Sequence, residues 1–336
     1  MTANQTDLKE LLKKRLFDSI SAQIDLIGYV PDDITKLVKD FTFETKHADR
    51  ASNDVELEAG LFENGAIVAS NQPDKEKLAE LVNGHYDQVF YDCDGMMGRL
   101  YQDTQYRNIG YWDEATLSQD QASERLQDAL LDFIPEKSGR ILDVACGMGA
   151  STRRLLNHYP AENIWAINIS EKQIESTRSN APGCNAQVMN AVDMGFDNDF
   201  FDSILCIEAA MHFETRQKFL EESFRVLKPG GYLVLSDILL TSRARLAQLP
   251  MYHGPENHIE TVEKYYELLS DAGFSSIVII DKSKDVWGAH FLRAVNRIHE
   301  KFYSGDIGII ELTETLWNYY NANAVMGACL FISAQK

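Results

Sequence analysis

The 336-residue sequence predicts an α/β fold: a doubly wound, mostly parallel sheet with helices on both faces. Three observations carry this expectation. From about Arg140 short apolar runs alternate with amphipathic helical stretches, the first run ends in the glycine turn "ILDVACGMGAST", and polar residues stand where each later run stops. Regular alternation of strand and helix leads to parallel pairing, because each return to the sheet needs a crossover that covers one face.

Residues 1–80 read as a helical N-terminal extension. Leu8, Leu11, Leu12 and Leu16 recur at helical spacing, and Pro31 with two acids opens a second amphipathic run. The leucine stripe is expected to be core or a dimer surface. The pattern breaks at "ASNQPDKEK", and residues 81–139, rich in aromatics and glycine, read as a lid segment leading into the core. Residues 140–240 hold five expected strands, "RILDVA", "NIWAIN", "AQVMN", "DSILCIE" and "GYLVLSD", separated by helical stretches such as "EKQIESTR" and "RQKFLEESFRVL". In "LKPGGYLVL" Pro229 and two glycines stop a helix and feed a strand. Residues 241–336 are expected to form a lid insertion and to complete the sheet. They comprise an irregular piece, a helix closing on Gly273, the strand "SSIVIID", a helical "WGAHFLRAVNRIHEKFYSG" and the strand "AVMGACLFISAQK".

Composition narrows the function. With 51 acidic against 32 basic residues the formal net charge is -19, which repels phosphate backbones and anionic lipid headgroups, so neither nucleic acid nor membrane is an expected partner. No run approaches the roughly 20 apolar residues of a membrane span. The N-terminus does not read as a signal peptide. The five cysteines, Cys93, Cys146, Cys184, Cys206 and Cys329, show neither CxxC nor metal-ligand spacing and read as reduced thiols of a cytoplasmic protein that holds no metal.

In open parallel sheets ligands bind at the carboxyl ends of strands, next to the point where strand order reverses. Here the strand ends bring together the loop Cys146–Gly149, Asn168, Asn190, Glu208 to His212, and Asp237. Gly147 and Gly149 permit a close backbone approach, and Ser151 and Thr152 can cap the following helix. Dinucleotide-binding turns carry a third glycine where Thr152 stands, which disfavours a nicotinamide-dependent dehydrogenase.

The words "ILDVACGMGAST", "AINISEKQI", "MNAVDMGF", "FDSILCIEAAMHF" and "RVLKPGGYLVLSD" together resemble the class I S-adenosylmethionine-dependent methyltransferases, in the branch that acts on small molecules. The resemblance spans about Asn108 to Leu240 and implies a seven-stranded Rossmann-like sheet with S-adenosyl-L-methionine as cofactor. It implies that Asp143, Gly147 and Gly149 form the loop for the methionine moiety, with Ala145 where the family often has a further glycine. Asn168 and Ile169 would meet ribose and adenine, with Gln173 on the next helix, and Asn190 and Ala191 would read the adenine edge. Tyr111 resembles the aromatic laid over the cofactor, and Glu208 would reach the cofactor, buttress His212 or hydrogen-bond within the strand-end loop. Asn168 and Asn190 replace acids common in the family; an amide keeps hydrogen bonding without the charge.

Methyl transfer is an in-line displacement, and an alcohol acceptor must also lose a proton. His212, just past the fourth strand, is expected to be that base, since an unperturbed imidazole is largely neutral at pH 7. Asp237, at the expected end of the fifth strand, would orient it or act as co-base, a pairing that related sugar and polyketide O-methyltransferases show. Each has a structural alternative, a packed histidine and a loop cap. Met211 stands where cyclopropane-forming relatives have glutamate, which disfavours carbon alkylation of a lipid alkene. His253, His258 and His290, with Tyr252 and Trp287, either line the acceptor pocket or lie solvated in loops. The expected function is O-methylation of a small metabolite, free or carrier-tethered. N- or C-methylation is the alternative, and a non-catalytic cofactor-binding scaffold the reading from another class.

Overall fold

A computed structural model describes residues 83, 84, 87, 91, 104–241 and 257–336. The expectations on residues 1–80, on Cys93 and on Tyr252 and His253 lie outside the described residues. The chain divides into two compact units, Gln72–Ala294 with Val325–Lys336 and Met1–Asn71 with Val295–Ala324. Among the described residues no helix is long and apolar enough to cross a membrane.

The larger unit is a seven-stranded sheet flanked by helices. In chain order it contains α1 (Gln119–Leu131), β1 (Ile141–Val144), α2 (Ala150–Leu155), β2 (Ile164–Asn168), α3 (Glu171–Asn180), β3 (Asn185–Val188), β4 (Phe201–Ile207), α4 (Arg216–Val226), β5 (Leu227–Leu240), α5 (Val262–Asp271), β6 (Ser275–Asp281), the start of α6 (Ala289–Ser304) and β7 (Met326–Gln335). The described part of the smaller unit is helical: the rest of α6, and α7 (Ile309–Val325), a helix the sequence reading did not anticipate.

The strands lie in the order β3-β2-β1-β4-β5-β7-β6. β7 runs antiparallel to both β5 and β6, and the pairs among β3, β2, β1, β4 and β5 are parallel. Strand order reverses between β1 and β4, where Asp143 pairs with Leu205, so the crevice belongs at the carboxyl ends of these two strands.

Helix starts follow from the sequence. Ser118, Ser170, Thr215 and Thr261 each accept a hydrogen bond from the backbone N–H three residues on, satisfying a donor the first helical turn leaves orphaned. The central strands are buried on both faces, all four residues of β1 included. Leu142 and Val144 join Ile204, Cys206, Phe219 and Leu220 in one layer. Ile141 joins Leu205, Val234 and the α1 residues Leu126, Leu130 and Leu131 in the other. Alternate residues of one strand thus feed two cores, and losing a buried Phe such as Phe201 would cost about 3–5 kcal/mol. This double anchoring makes the strand ends a rigid frame for chemistry.

Candidate active site

The turn after β1 is built on positive backbone torsions. Ala145, Gly147 and Gly149 have φ of 58, 55 and 86°. A left-handed alanine costs roughly 1–2 kcal/mol. Asp143, buried within β1, holds the turn from below: its Oδ2 accepts from Ser151 Oγ and Thr152 Oγ1, both at 2.7 Å. Burial pushes its pKa up to about 6 against the opposing pull of these hydroxyls. α3 holds the turn from outside. Thr177 Oγ1 donates to Gly147 O at 3.0 Å and Asn180 Nδ2 to Met148 O at 2.8 Å. A Cβ on Gly149 would stand 2.7 Å from Thr177 Cα, so helix packing demands this glycine as firmly as any ligand does.

At the end of β2, Asn168 is almost fully buried. Its Oδ1 accepts from Ser170 N at 2.9 Å, and its Nδ2 donates to Gln173 Oε1 at 3.1 Å. Ile169 between them is half-buried. Asn190 is exposed beyond β3 with its Oδ1 engaged by Val192 N, which leaves its amide N–H groups for a ligand, and Ala191 is buried beside it.

At the end of β4, Glu208 adopts φ of 49° and donates its N–H to Ser236 O at 2.9 Å. Its Oε2 accepts from the backbone N–H of Ile109 at 2.8 Å, while its Oε1 is buried with no hydrogen-bond partner. Burial, helped by the Asp237 charge and opposed by the Ile109 N–H, raises its pKa to about 8. Ile109 O in turn accepts from Trp112 Nε1 at 2.9 Å and Gln119 Nε2 at 3.2 Å, so the "NIGYW" segment is clamped across the switch point. Gly110, at φ 83°, allows this: a Cβ there would meet Ala122 Cβ at 2.5 Å.

Tyr111 takes a different place from the one expected. Its ring packs edge-on against Phe331 of β7 at 5.4 Å, and its hydroxyl accepts from Lys282 Nζ at 3.2 Å, three strands from β1. The aromatic beside the glycine turn is instead the buried Tyr106, whose hydroxyl donates to Ala150 O at 3.4 Å. The sequence signal for it was available in the same aromatic-rich stretch, five residues earlier.

Asp237 also requires correction. β5 runs on to Leu240, so Asp237 sits within the sheet, paired with Leu330 of β7, and its side chain is 0% exposed. Its Oδ2 accepts from Arg216 Nε at 2.6 Å and Tyr265 OH at 2.9 Å, and its Oδ1 from Ile238 N at 2.8 Å and Arg216 Nη2 at 3.3 Å. A carboxylate with both oxygens so engaged, opposite a buried guanidinium, is no co-base. Its partners lead to the base by another route. Arg216 N donates to Asn257 Oδ1, and Asn257 Nδ2 donates to the carbonyls of Ala210, Met211 and Phe213 at 3.3, 3.1 and 2.9 Å. These carbonyls enclose the 3-10 turn Ala210–His212. Asp237, Arg216, Tyr265 and Asn257 thus form a buried brace under the turn that carries His212. Local sequence patterns do not reveal the last three, because their roles depend on contacts 21 to 47 residues apart.

Of the other candidate histidines, His258 and His290 are not solvated. His290 is buried, supported by the Ile109 backbone, and burial pushes its pKa down to about 4. The His258 side chain is 1% exposed, with Nε2 at 2.8 Å from Glu260. Cys146, Cys206 and Cys329 are buried free thiols, and burial raises each thiol's pKa.

Residues 142–235 match the model of the methyltransferase domain. The sheet order and the turn after β1 agree with this match, which places a methyltransferase domain within the chain. It is 31% identical over 138 residues to the 27-O-demethylrifamycin SV methyltransferase of Amycolatopsis mediterranei, covering 39% of this chain and half of that protein. It is 28% identical over 217 residues to the O-methyltransferase cnsE of Penicillium expansum, covering 56% of this chain and 76% of that protein. The solved cyclopropane synthase MmaA2 from Mycobacterium tuberculosis shares the fold at a TM-score of 0.59 and 19% identity, over 77% of this chain and 98% of that one.

The residues present fit S-adenosylmethionine. The buried Oε1 of Glu208 at the switch point is an unused acceptor for an ammonium, and the buried amides of Asn168 and Gln173 suit hydroxyls.

Proposed function

We propose that the protein transfers a methyl group to a hydroxyl of a small-molecule acceptor, with His212 as general base. The observation that carries this reading is the brace: four buried polar side chains fix the turn that carries His212 beyond β4, next to the switch point. Investment in the backbone position of one half-buried histidine is what proton removal from an acceptor requires, since a displacement of about 1 Å can cost 10²-fold in rate. The two relatives, both O-methyltransferases, support the same class of acceptor.

When bound, S-adenosylmethionine supplies an electrophilic methyl on a sulfonium. The chain's own part is to align and deprotonate. The turn after β1 and the strand ends hold the cofactor, the clamped "NIGYW" segment excludes water over the crevice, and His212 takes the hydroxyl proton as the oxygen attacks. The imidazolium so formed gives its proton to water once product leaves.

The test is release of S-adenosylhomocysteine against a panel of hydroxylated small molecules, with the product's methyl position assigned by NMR. His212→Ala is expected to lower kcat about 10²- to 10⁴-fold. The wild-type pH–rate profile should show an acidic limb that the variant lacks. Turnover within a few-fold of wild type, or a methyl found on nitrogen or carbon, overturns the assignment.

A further inference from the structure

Asn168, at the expected ribose position, is a neutral amide, yet a carboxylate joins its hydrogen-bond network from elsewhere in the sequence. Asp87 lies 81 residues before Asn168 in the sequence. Its Oδ1 accepts from Ser170 Oγ at 2.7 Å and from Gln173 Nε2 at 2.9 Å. These bonds fix which way the Gln173 amide faces: its N–H toward Asp87, its oxygen toward Asn168 Nδ2 at 3.1 Å. Ser170 and Gln173 are buried, whereas Asp87 is half-buried at the rim of this network. Its Oδ2 takes no hydrogen bond from any described residue.

The chemistry of the diol selects such a group. Two vicinal hydroxyls are two donors on neighbouring carbons, and an ionised carboxylate offers about four acceptor sites and hydrogen bonds roughly twice as strong as those of a neutral acceptor. Asn168 offers less, a neutral amide whose oxygen already accepts from Ser170 N. Four residues after Asp87, Tyr91 secures the same docking: its hydroxyl lies 2.6 Å from Ser176 Oγ and donates to Lys172 O at 3.0 Å, and Lys172 Nζ lies 3.8 Å from the centre of its ring.

We propose that Asp87 is the ribose-binding carboxylate of this protein, supplied from a distant part of the sequence to compensate for Asn168, with its Oδ2 accepting from the ribose hydroxyls. The inference rests on the assignment of S-adenosylmethionine as cofactor. It gives Asp87 a direct share in cofactor affinity.

Calorimetry with S-adenosylhomocysteine and with its 2′,3′-dideoxyribose analogue tests it, on the full-length wild type and on Asp87→Asn, which keeps the shape and an oxygen for Ser170. Asp87→Asn should bind S-adenosylhomocysteine about 10- to 100-fold more weakly, the range of a charge-assisted hydrogen bond. Against the dideoxy analogue the two proteins should differ by less than about three-fold, because the hydroxyls that Asp87 recognises are gone. Equal weakening toward both ligands shows a purely structural Asp87, and no weakening toward either shows no role; each overturns the inference. A wild type that binds S-adenosylhomocysteine but responds to neither change leaves the cofactor assignment standing, whereas one that binds no S-adenosylhomocysteine overturns both.

Discussion

Replacing Asp237 by Asn distinguishes a brace from a base. In the brace, Asp237 receives four donors and faces Arg216 with side-chain exposures of 0% and 5%. Asparagine would leave the guanidinium without its counter-charge and turn an N–H toward groups that are themselves donors. Breaking one side of such a buried pair costs about 3–5 kcal/mol. For a unit of this size, 1 kcal/mol moves Tm by about 2–4 °C, so a fall of roughly 6–20 °C is expected. Urea or thermal unfolding followed by circular dichroism measures it. The double variant Asp237→Asn with Arg216→Met should be less destabilised than the two single changes summed, because the second removes the stranded charge. Turnover should fall alongside stability as the turn loses its register, while the acidic limb set by His212 persists in whatever activity remains. Asp237→Asn with wild-type stability, a collapsed kcat and a lost acidic limb would refute the brace and restore Asp237 as a base.

Glu208 makes stability depend on pH in the opposite sense from a salt-bridged acid. Its folded pKa of about 8 stands above the ordinary 4.5, so the folded state keeps a proton that the unfolded chain has released between these values. Its contribution is therefore full below about pH 4.5 and is lost as pH rises toward 8, by up to about 1.4 kcal/mol per unit. Glu208→Gln removes that slope, and the variant should gain on wild type between pH 6 and 8.5 in urea midpoints; a constant difference refutes the burial argument. Gly149→Ala should destabilise by about 1–3 kcal/mol from the strained torsion alone and weaken S-adenosylhomocysteine binding as α3 is pushed from the turn. A melting curve and a titration check both. Asn257→Ala, which frees three carbonyls of the His212 turn, should lower kcat with little change in S-adenosylhomocysteine affinity.

The sheet was legible because its strands carry their own signals: apolar runs of the right length, each stopped by a glycine or polar residue, with Ser or Thr opening the helices. The turn after β1 and the residues at the ends of β2 to β4 were found by the same local logic. Asp237 was misplaced because β5 is prolonged by pairing with β7, a partner some ninety residues downstream that no local pattern reveals. Tyr111 and Tyr106 are chemically alike and five positions apart, and only the turn at Gly110 decides which one meets the glycine loop. Asp87 and Asn257 were invisible for a different reason. Neither belongs to a recognisable motif, and the meaning of each comes entirely from the residues it touches.

The position of β7 bears on how this molecule assembles. β7 lies between β5 and β6 in space although both precede it in the chain, so β6 has no neighbour in the sheet until residues 326–335 slot into the gap. Closing that gap pairs Ser275 with Gln335 and Tyr232 with Gln335, contacts of long sequence separation that are slow to form. The same insertion completes the pairing of Asp237. The strand that carries Asp237 of the His212 brace is thus held on one side by the last residues of the sequence, and a chain trimmed at Val325 would lack that pairing.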